Sequence, residues 1–148
     1  MQIELKITRL KLGATIPAYA HGGAEDAGVD LTFSGVERVV LAPGERRLLE
    51  TGLAIELPAG FEGQVRPRSG LALKKGVTVL NAPGTIDPGY RGEIGVILIN
   101  LSNTAQTIEP GERIAQLIVA PYAAVKFVEA DALAHSQRAT GGFGSTGA

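Results

Sequence analysis

The chain has no cysteine and no tryptophan, a single methionine, and only two histidines, His21 and His135. Without thiols there are no disulfides and no thiolate metal sites, and two imidazoles so far apart in sequence do not make a structural zinc site. Charge of either sign is not in excess: 14 Lys and Arg against 15 Asp and Glu leave a net charge of −1. That balance gives no electrostatic case for stable nucleic-acid binding or for a polybasic membrane contact. Any polyanion must therefore be met locally, by a few placed Arg, Lys and backbone N–H groups. No apolar run approaches the ~18 residues that suggest a membrane span. The opening residues, Met1-Gln-Ile-Glu-Leu-Lys, carry no secretory leader pattern. A cytoplasmic location away from membranes is the expectation. Sustained helical periodicity is missing as well.

Glycine is abundant, at 20 of 148 residues, about twice the average usage of ~7%, and it punctuates many short apolar alternations. In residues 2–9, Ile3, Leu5 and Ile7 fall on one face and Glu4, Lys6 and Thr8 on the other, the pattern of a half-buried strand. Further strands are expected at 29–33, 36–41, 61–66, 77–80, 94–101, 106–109, 113–119 and 125–128, with one or two more in 48–57. The single interior segment with helical character is 69–75. Many short strands at close intervals predict an all-β sandwich or barrel, with a jelly roll among the candidates. Residues 1–136 read as one β-barrel domain and 137–148 as a flexible Gly-rich C-terminal arm. Such a tail cannot bury enough surface to order itself, which makes its one aromatic, Phe143, unusual.

Five stretches carry chemistry. The loop Asn81 to Glu93, set between two apolar runs, holds Asp87 and Tyr90. Pro88 pushes Asp87 out of helical geometry, and Pro88-Gly89 then presents Tyr90. An acid so placed can act as general base on water and a Tyr ring can floor a sugar. The same residues also suit an Asx-type turn with Tyr90 filling core space. In Arg66-Pro67-Arg68-Ser69-Gly70 two Arg and a Ser precede the short helix. This arrangement suits phosphate oxygens, although a plain Ser N-cap would explain Ser69 by itself. Asp30 stands between apolar residues in Ala27-Gly28-Val29-Asp30-Leu31, where it is equally an edge-strand surface acid. Gln116 interrupts the apolar run Ile114 to Val119 and is either a core hydrogen-bonder or a ligand contact. In the tail, Arg138 and the Gly141 and Gly142 amides suit phosphate oxygens, and Phe143 suits a ligand ring. None of these has the spacing of a Walker P-loop.

Together and in this order, the stretches resemble the five motifs of the trimeric all-β deoxyuridine triphosphate nucleotidohydrolases. They are Ala27 to Leu31, Pro67 to Gly70, Asn81 to Glu93, Arg113 to Leu117 and Arg138 to Gly147, and they span nearly the whole chain. The resemblance implies a jelly-roll subunit, a homotrimer with active sites between subunits, and hydrolysis of dUTP to dUMP and pyrophosphate with Mg²⁺. It implies that Asp87 activates the water attacking the α-phosphorus and that Tyr90 lies against the deoxyribose. Asn81 and the backbone of the hairpin, through Thr85 and Ile86 to Gly95, would read the uracil edge. Arg68, Ser69, Gly70 and Gln116 would hold the phosphates, and Asp30 would support the metal's water shell. Phe143 would stack on uracil while Arg138, Gly141 and Gly142 clamp the outer phosphates. Two alternatives accompany this reading. One is the related dCTP deaminases, in which the strand after the loop carries a Glu; that position here is Ile97. The other is a catalytically silent nucleotide-binding module of the same fold.

Overall fold

The computed structural model describes residues 2–147. Eleven strands and one helix follow in the order β1 (Lys6–Arg9), β2 (Val29–Thr32), β3 (Val39–Leu41), β4 (Arg46–Glu50), β5 (Leu53–Glu56), β6 (Phe61–Arg66), α1 (Ser69–Lys75), β7 (Val77–Val79), β8 (Gly84–Ile86), β9 (Gly95–Asn100), β10 (Gln106–Ile108) and β11 (Arg113–Pro121). They form four antiparallel sheets, ordered β2-β11-β6-β8, β4-β9-β7, β1-β5 and β10-β3. This is the all-β, jelly-roll-like architecture that the short alternating runs lead one to expect.

Alternation decides which residues meet in the middle. In β9 the buried side chains are Val96, Leu98 and Asn100, with Gly95, Ile97 and Ile99 only half-buried on the other face. Leu31, Leu41, Leu49, Leu53, Val77, Ile94, Ile108 and Ile114 join them in one continuous core. Two buried polar side chains are fully used. Asn100 donates to the carbonyls of Leu41 and Thr104 at 2.9 and 2.8 Å and accepts from the Ser102 N–H and hydroxyl. Thr51 donates to the Ile94 carbonyl at 2.6 Å. Each thereby satisfies a backbone oxygen that the core would otherwise leave stranded.

Three expectations are revised. The first strand begins at Lys6, because its partner β5 reaches only from Arg9↔Leu53 to Lys6↔Glu56; Ile3 and Leu5 are half-buried but unpaired. A strand not expected, β8, lies inside the 81–93 loop and pairs with β6 through Gly63↔Ile86 and Val65↔Gly84. Residues 125–128 form no strand within the chain. Val125, Phe127 and Val128 there are 68%, 92% and 77% exposed. The helix spans Ser69–Lys75 as expected, with Arg68 rather than Ser69 in the capping position and no side-chain cap.

Candidate active site

Asn81 to Glu93 makes one wall of a small cleft. After β7 the chain turns, runs three residues as β8, and turns again at Asp87, whose carbonyl accepts from the Tyr90 N–H at 3.0 Å. Arg91 holds that second turn by donating to the carbonyls of Pro88 and Tyr90 at 2.7 and 3.0 Å. The cleft, about 150 Å³, is lined by Asn81, Gly84, Thr85, Ile86, Tyr90, Glu93 and Gly95, among others. Gly84 lets the Asn81 side chain lie close to the hairpin backbone, since a Cβ there would lie 3.2 Å from the Asn81 amide nitrogen. With an amide, strand-edge backbone and a phenol in its lining, the cleft offers hydrogen bonds to a flat polar ring and a surface for a sugar.

A second cleft, about 180 Å³, brings together Asp30, Arg68, Ser69, Gly70 and Gln116. The register explains the grouping, since β11 sets Gln116 beside both Asp30 of β2 and Arg66 of β6. Asp30 accepts from Arg68 Nε at 2.7 Å and from Arg113 at 3.3 Å. Gln116 donates to the Pro67 carbonyl at 2.9 Å, and Gly28 makes room for it, because a Cβ there would lie 2.6 Å from its Oε1. A basic depression continues from this cleft past Arg68 and Gly70 to Lys74, Lys75 and Arg113. Lys75 is tied down by Glu112 at 3.2 Å and the Thr107 carbonyl at 3.0 Å. This side of the molecule suits an anion.

The two clefts share no lining residue, and Asp87 lines neither of them. Its side chain is exposed, just after β8. The tail residues form a separate group. Arg138 Nε donates to the Gly141 carbonyl at 2.8 Å, and Phe143 is fully exposed. One chain therefore supplies three groups of site residues and does not itself close them around a ligand. A wider depression, about 620 Å³, includes Tyr90 and is walled by Val36, Leu48, Glu37, Glu50 and Glu93 among others. It shares Tyr90, Glu93 and Gly95 with the small cleft, and no Arg or Lys lines it to meet an anion.

Two residues at the ends of the motifs have contacts that the sequence did not reveal. Glu93 accepts the Gly52 N–H at 2.7 Å and so ties the hairpin to the β4–β5 turn. Arg113 reaches Asp30 from 83 positions away. Neither partnership leaves a trace in local spacing. Among the described residues no group of three or more His, Cys, Asp or Glu forms a metal cage, and no helix is long and apolar enough to cross a membrane.

Comparison with known proteins adds to this geometry. The model of the dUTPase family matches residues 14–147. A deoxyuridine 5'-triphosphate nucleotidohydrolase of Solibacter usitatus is 57% identical over 146 residues, covering 99% of this chain and 97% of its own length. The dUTPase of Staphylococcus bacteriophage 80alpha, solved with dUPNHPP, superposes with a TM-score of 0.89 at 28% identity over 99% of this chain and 100% of its own. A mutant dUTPase of phage phi11 of S. aureus, described as revealing coordination of a structural Mg(II) ion, shares the fold at 24% identity and a TM-score of 0.80, covering 88% of this chain and 99% of its own.

Proposed function

The chain belongs to the dUTPase family and catalyses the hydrolysis of dUTP to dUMP and pyrophosphate; we propose that it does so at sites assembled between copies, with Asp87 as general base. The observation that carries this proposal is the division of labour within one chain. The cleft read as holding a ring and a sugar and the cleft read as holding phosphates have no residue in common, which supports a second copy bringing one to the other. The exposed Val125, Phe127, Val128 and Leu133 support the same conclusion, since a run of bare apolar side chains beyond β11 calls for another chain to cover it. A closed homotrimer is the assembly proposed.

In the proposed complex, Asn81 and the backbone of Thr85, Ile86 and Gly95 read the uracil edge, and the Tyr90 ring lies against the deoxyribose. Arg68, Ser69, Gly70 and Gln116 grip the phosphates. The tail then lies over the site, with Phe143 on the base and Arg138, Gly141 and Gly142 on the outer phosphates, and excludes water from all but the attacking position. Asp87 takes the proton of that water as it attacks the α-phosphorus, which leaves dUMP and pyrophosphate. Phosphoryl chemistry asks mainly for such positioning and charge neutralisation.

The donor set fits Mg²⁺ of a particular kind. A single carboxylate, Asp30, faces the phosphate cleft, and the described residues hold no acidic cage. That suits an ion that keeps several waters and takes its other ligands from substrate phosphates, with Asp30 holding a water of its shell. When bound, the ion supplies charge neutralisation on the triphosphate.

Ion-exchange analysis of products from dUTP, dTTP, dCTP and UTP, each with purified protein and Mg²⁺, tests the reading. dUMP and pyrophosphate from dUTP alone are expected. Deamination of dCTP would contradict it, and would be surprising with the half-buried Ile97 facing Leu48 where a proton carrier would be needed.

A further inference from the structure

Tyr90 is folded back on its own hairpin. Its hydroxyl donates to the Glu93 carbonyl at 2.9 Å, and its ring lies over Gly92. Gly92 itself is exposed and lies outside the left-handed backbone region, so its φ does not call for glycine. The tyrosine is what forbids a side chain. A Cβ at Gly92 would lie 2.6 Å from Tyr90 Cζ and 2.9 Å from Cε2, and nearer still to the hydroxyl oxygen. Tyr90 is 46% exposed, so the ring is the party able to move. A side chain at this position would displace Tyr90 and leave the fold alone.

The carbonyl that catches the hydroxyl is itself fixed. Glu93 is held through its carboxylate by the Gly52 N–H at 2.7 Å. The next residue, Ile94, donates to the Leu53 carbonyl at 2.8 Å and accepts from Thr51 at 2.6 Å. Thr51 and Leu53 are fully buried. The resting place of the ring is thus referenced to the core through three successive contacts, although the ring sits on a surface loop.

We propose that Gly92 is a specificity-determining position for the sugar: its bare Cα, with the Glu93 carbonyl, sets the place of the Tyr90 ring and hence the exclusion of a ribose 2′-hydroxyl. The inference rests on the reading of Tyr90 as the wall against the deoxyribose. Gly92 acts through Tyr90 and is a positioning residue. Glu93 has the same character, contributing a carbonyl and a strut.

The test is steady-state kinetics on dUTP and UTP for Gly92→Ala, Tyr90→Ala and the double variant, with thermal melting of each. Gly92→Ala is expected to melt with the parent and to lose about tenfold in the ratio of kcat/KM for dUTP to that for UTP, as a displaced contact group does. Tyr90→Ala should lose at least as much, and adding Gly92→Ala to it should change the ratio no further, because residues acting through one contact are not additive. Tyr90→Phe tests the other half of the arrangement: it keeps the ring and the glycine but removes the tether to the Glu93 carbonyl, and its selectivity is expected to fall. A Gly92→Ala chain that fails to fold would overturn the claim that Tyr90 alone stands in the way. Unchanged selectivity in a folded Gly92→Ala, with selectivity lost in Tyr90→Ala, would overturn the role of Gly92 and leave the sugar reading standing. An additive double variant would do the same. Unchanged selectivity in Tyr90→Ala would overturn both.

Discussion

Replacing Thr51 with valine removes one oxygen from the core and almost nothing else. Thr51 is fully buried; its hydroxyl donates to the Ile94 carbonyl at 2.6 Å and accepts from the Leu53 N–H at 3.3 Å. Valine has the same branched shape, so no cavity opens. The Ile94 oxygen, however, loses its side-chain donor in a place water does not reach. A buried acceptor left unsatisfied costs roughly 1–3 kcal/mol, and the longer contact from Leu53 adds little. We expect Thr51→Val to be less stable by about 2 kcal/mol, or ~4–8 °C in melting temperature for a chain of this size. Thr51→Ser, which keeps the hydroxyl and loses a methyl, should lose only about 0.8 kcal/mol. The assay is thermal unfolding by circular dichroism at one fixed chain concentration, because an oligomer's apparent stability follows concentration. A valine variant melting with the parent would refute the argument. A serine variant less stable than the valine one would show that methyl packing, rather than the hydrogen bond, holds this corner.

Three further outcomes are expected. Asp87→Asn should lower turnover by about 10²–10⁴ while dUTP binding by calorimetry persists; normal turnover would remove Asp87 as the base. Deleting residues 138–148 should leave a chain that melts and sediments like the parent but hydrolyses dUTP poorly, and a truncated enzyme at full rate would contradict closure by the tail. The Asp26 carboxyl is held below its ordinary value of 3.8, first by the His21 backbone N–H and then by the His21 side chain. A lowered folded-state value means that this contact's contribution is present above that ordinary value and is lost as pH falls through the lowered one. Carboxyl NMR titration should show that depressed midpoint, and His21→Ala should raise it only partway because the backbone donor remains. Full return to the ordinary value in His21→Ala would assign the effect to the side chain instead.

The fold was readable wherever a strand is paired over the length of its own alternation. Residues 61–66 and 69–75 were expected as the strand and helix they are, because flanking Pro and Gly mark their ends and their interiors carry an uninterrupted pattern. β8 was invisible. Three residues, Gly84-Thr85-Ile86, carry no period of their own and follow Pro83 in what reads as a turn; their pairing with β6 comes from the sheet. The opposite error arises at 125–128, where the alternation is real but the segment pairs with none of the strands of its own chain. Pattern reports what a segment can do, and partners decide whether it does so. The same distinction separates the site residues. That Asn81, Tyr90 and Arg68 line clefts agrees with the way each stands out in composition against its neighbours, and their roles there remain a proposal. Arg113 and Glu93 stood at the ends of their motifs without a partner, because an Arg or Glu is ordinary in a sequence and only the fold supplies Asp30 for one and the Gly52 N–H for the other.

The electrostatics of the phosphate cleft follow from the same economy. A chain with a net charge of −1 binds a substrate carrying several negative charges, so its cations must be concentrated and held ready. Arg68, Lys74, Lys75 and Arg113 gather around α1 and the start of β11, and left alone they would repel one another. Asp30 and Glu112 prevent this by pairing with three of them. Asp30 and Arg68 are each only about a third exposed or less, so their attraction is screened less than that of a surface pair. The carboxylate thus holds the guanidinium in the cleft before any phosphate arrives. Under the proposed reading, substrate oxygens would meet arginine donors already in place, and the ordering of a long flexible side chain would be largely complete before binding.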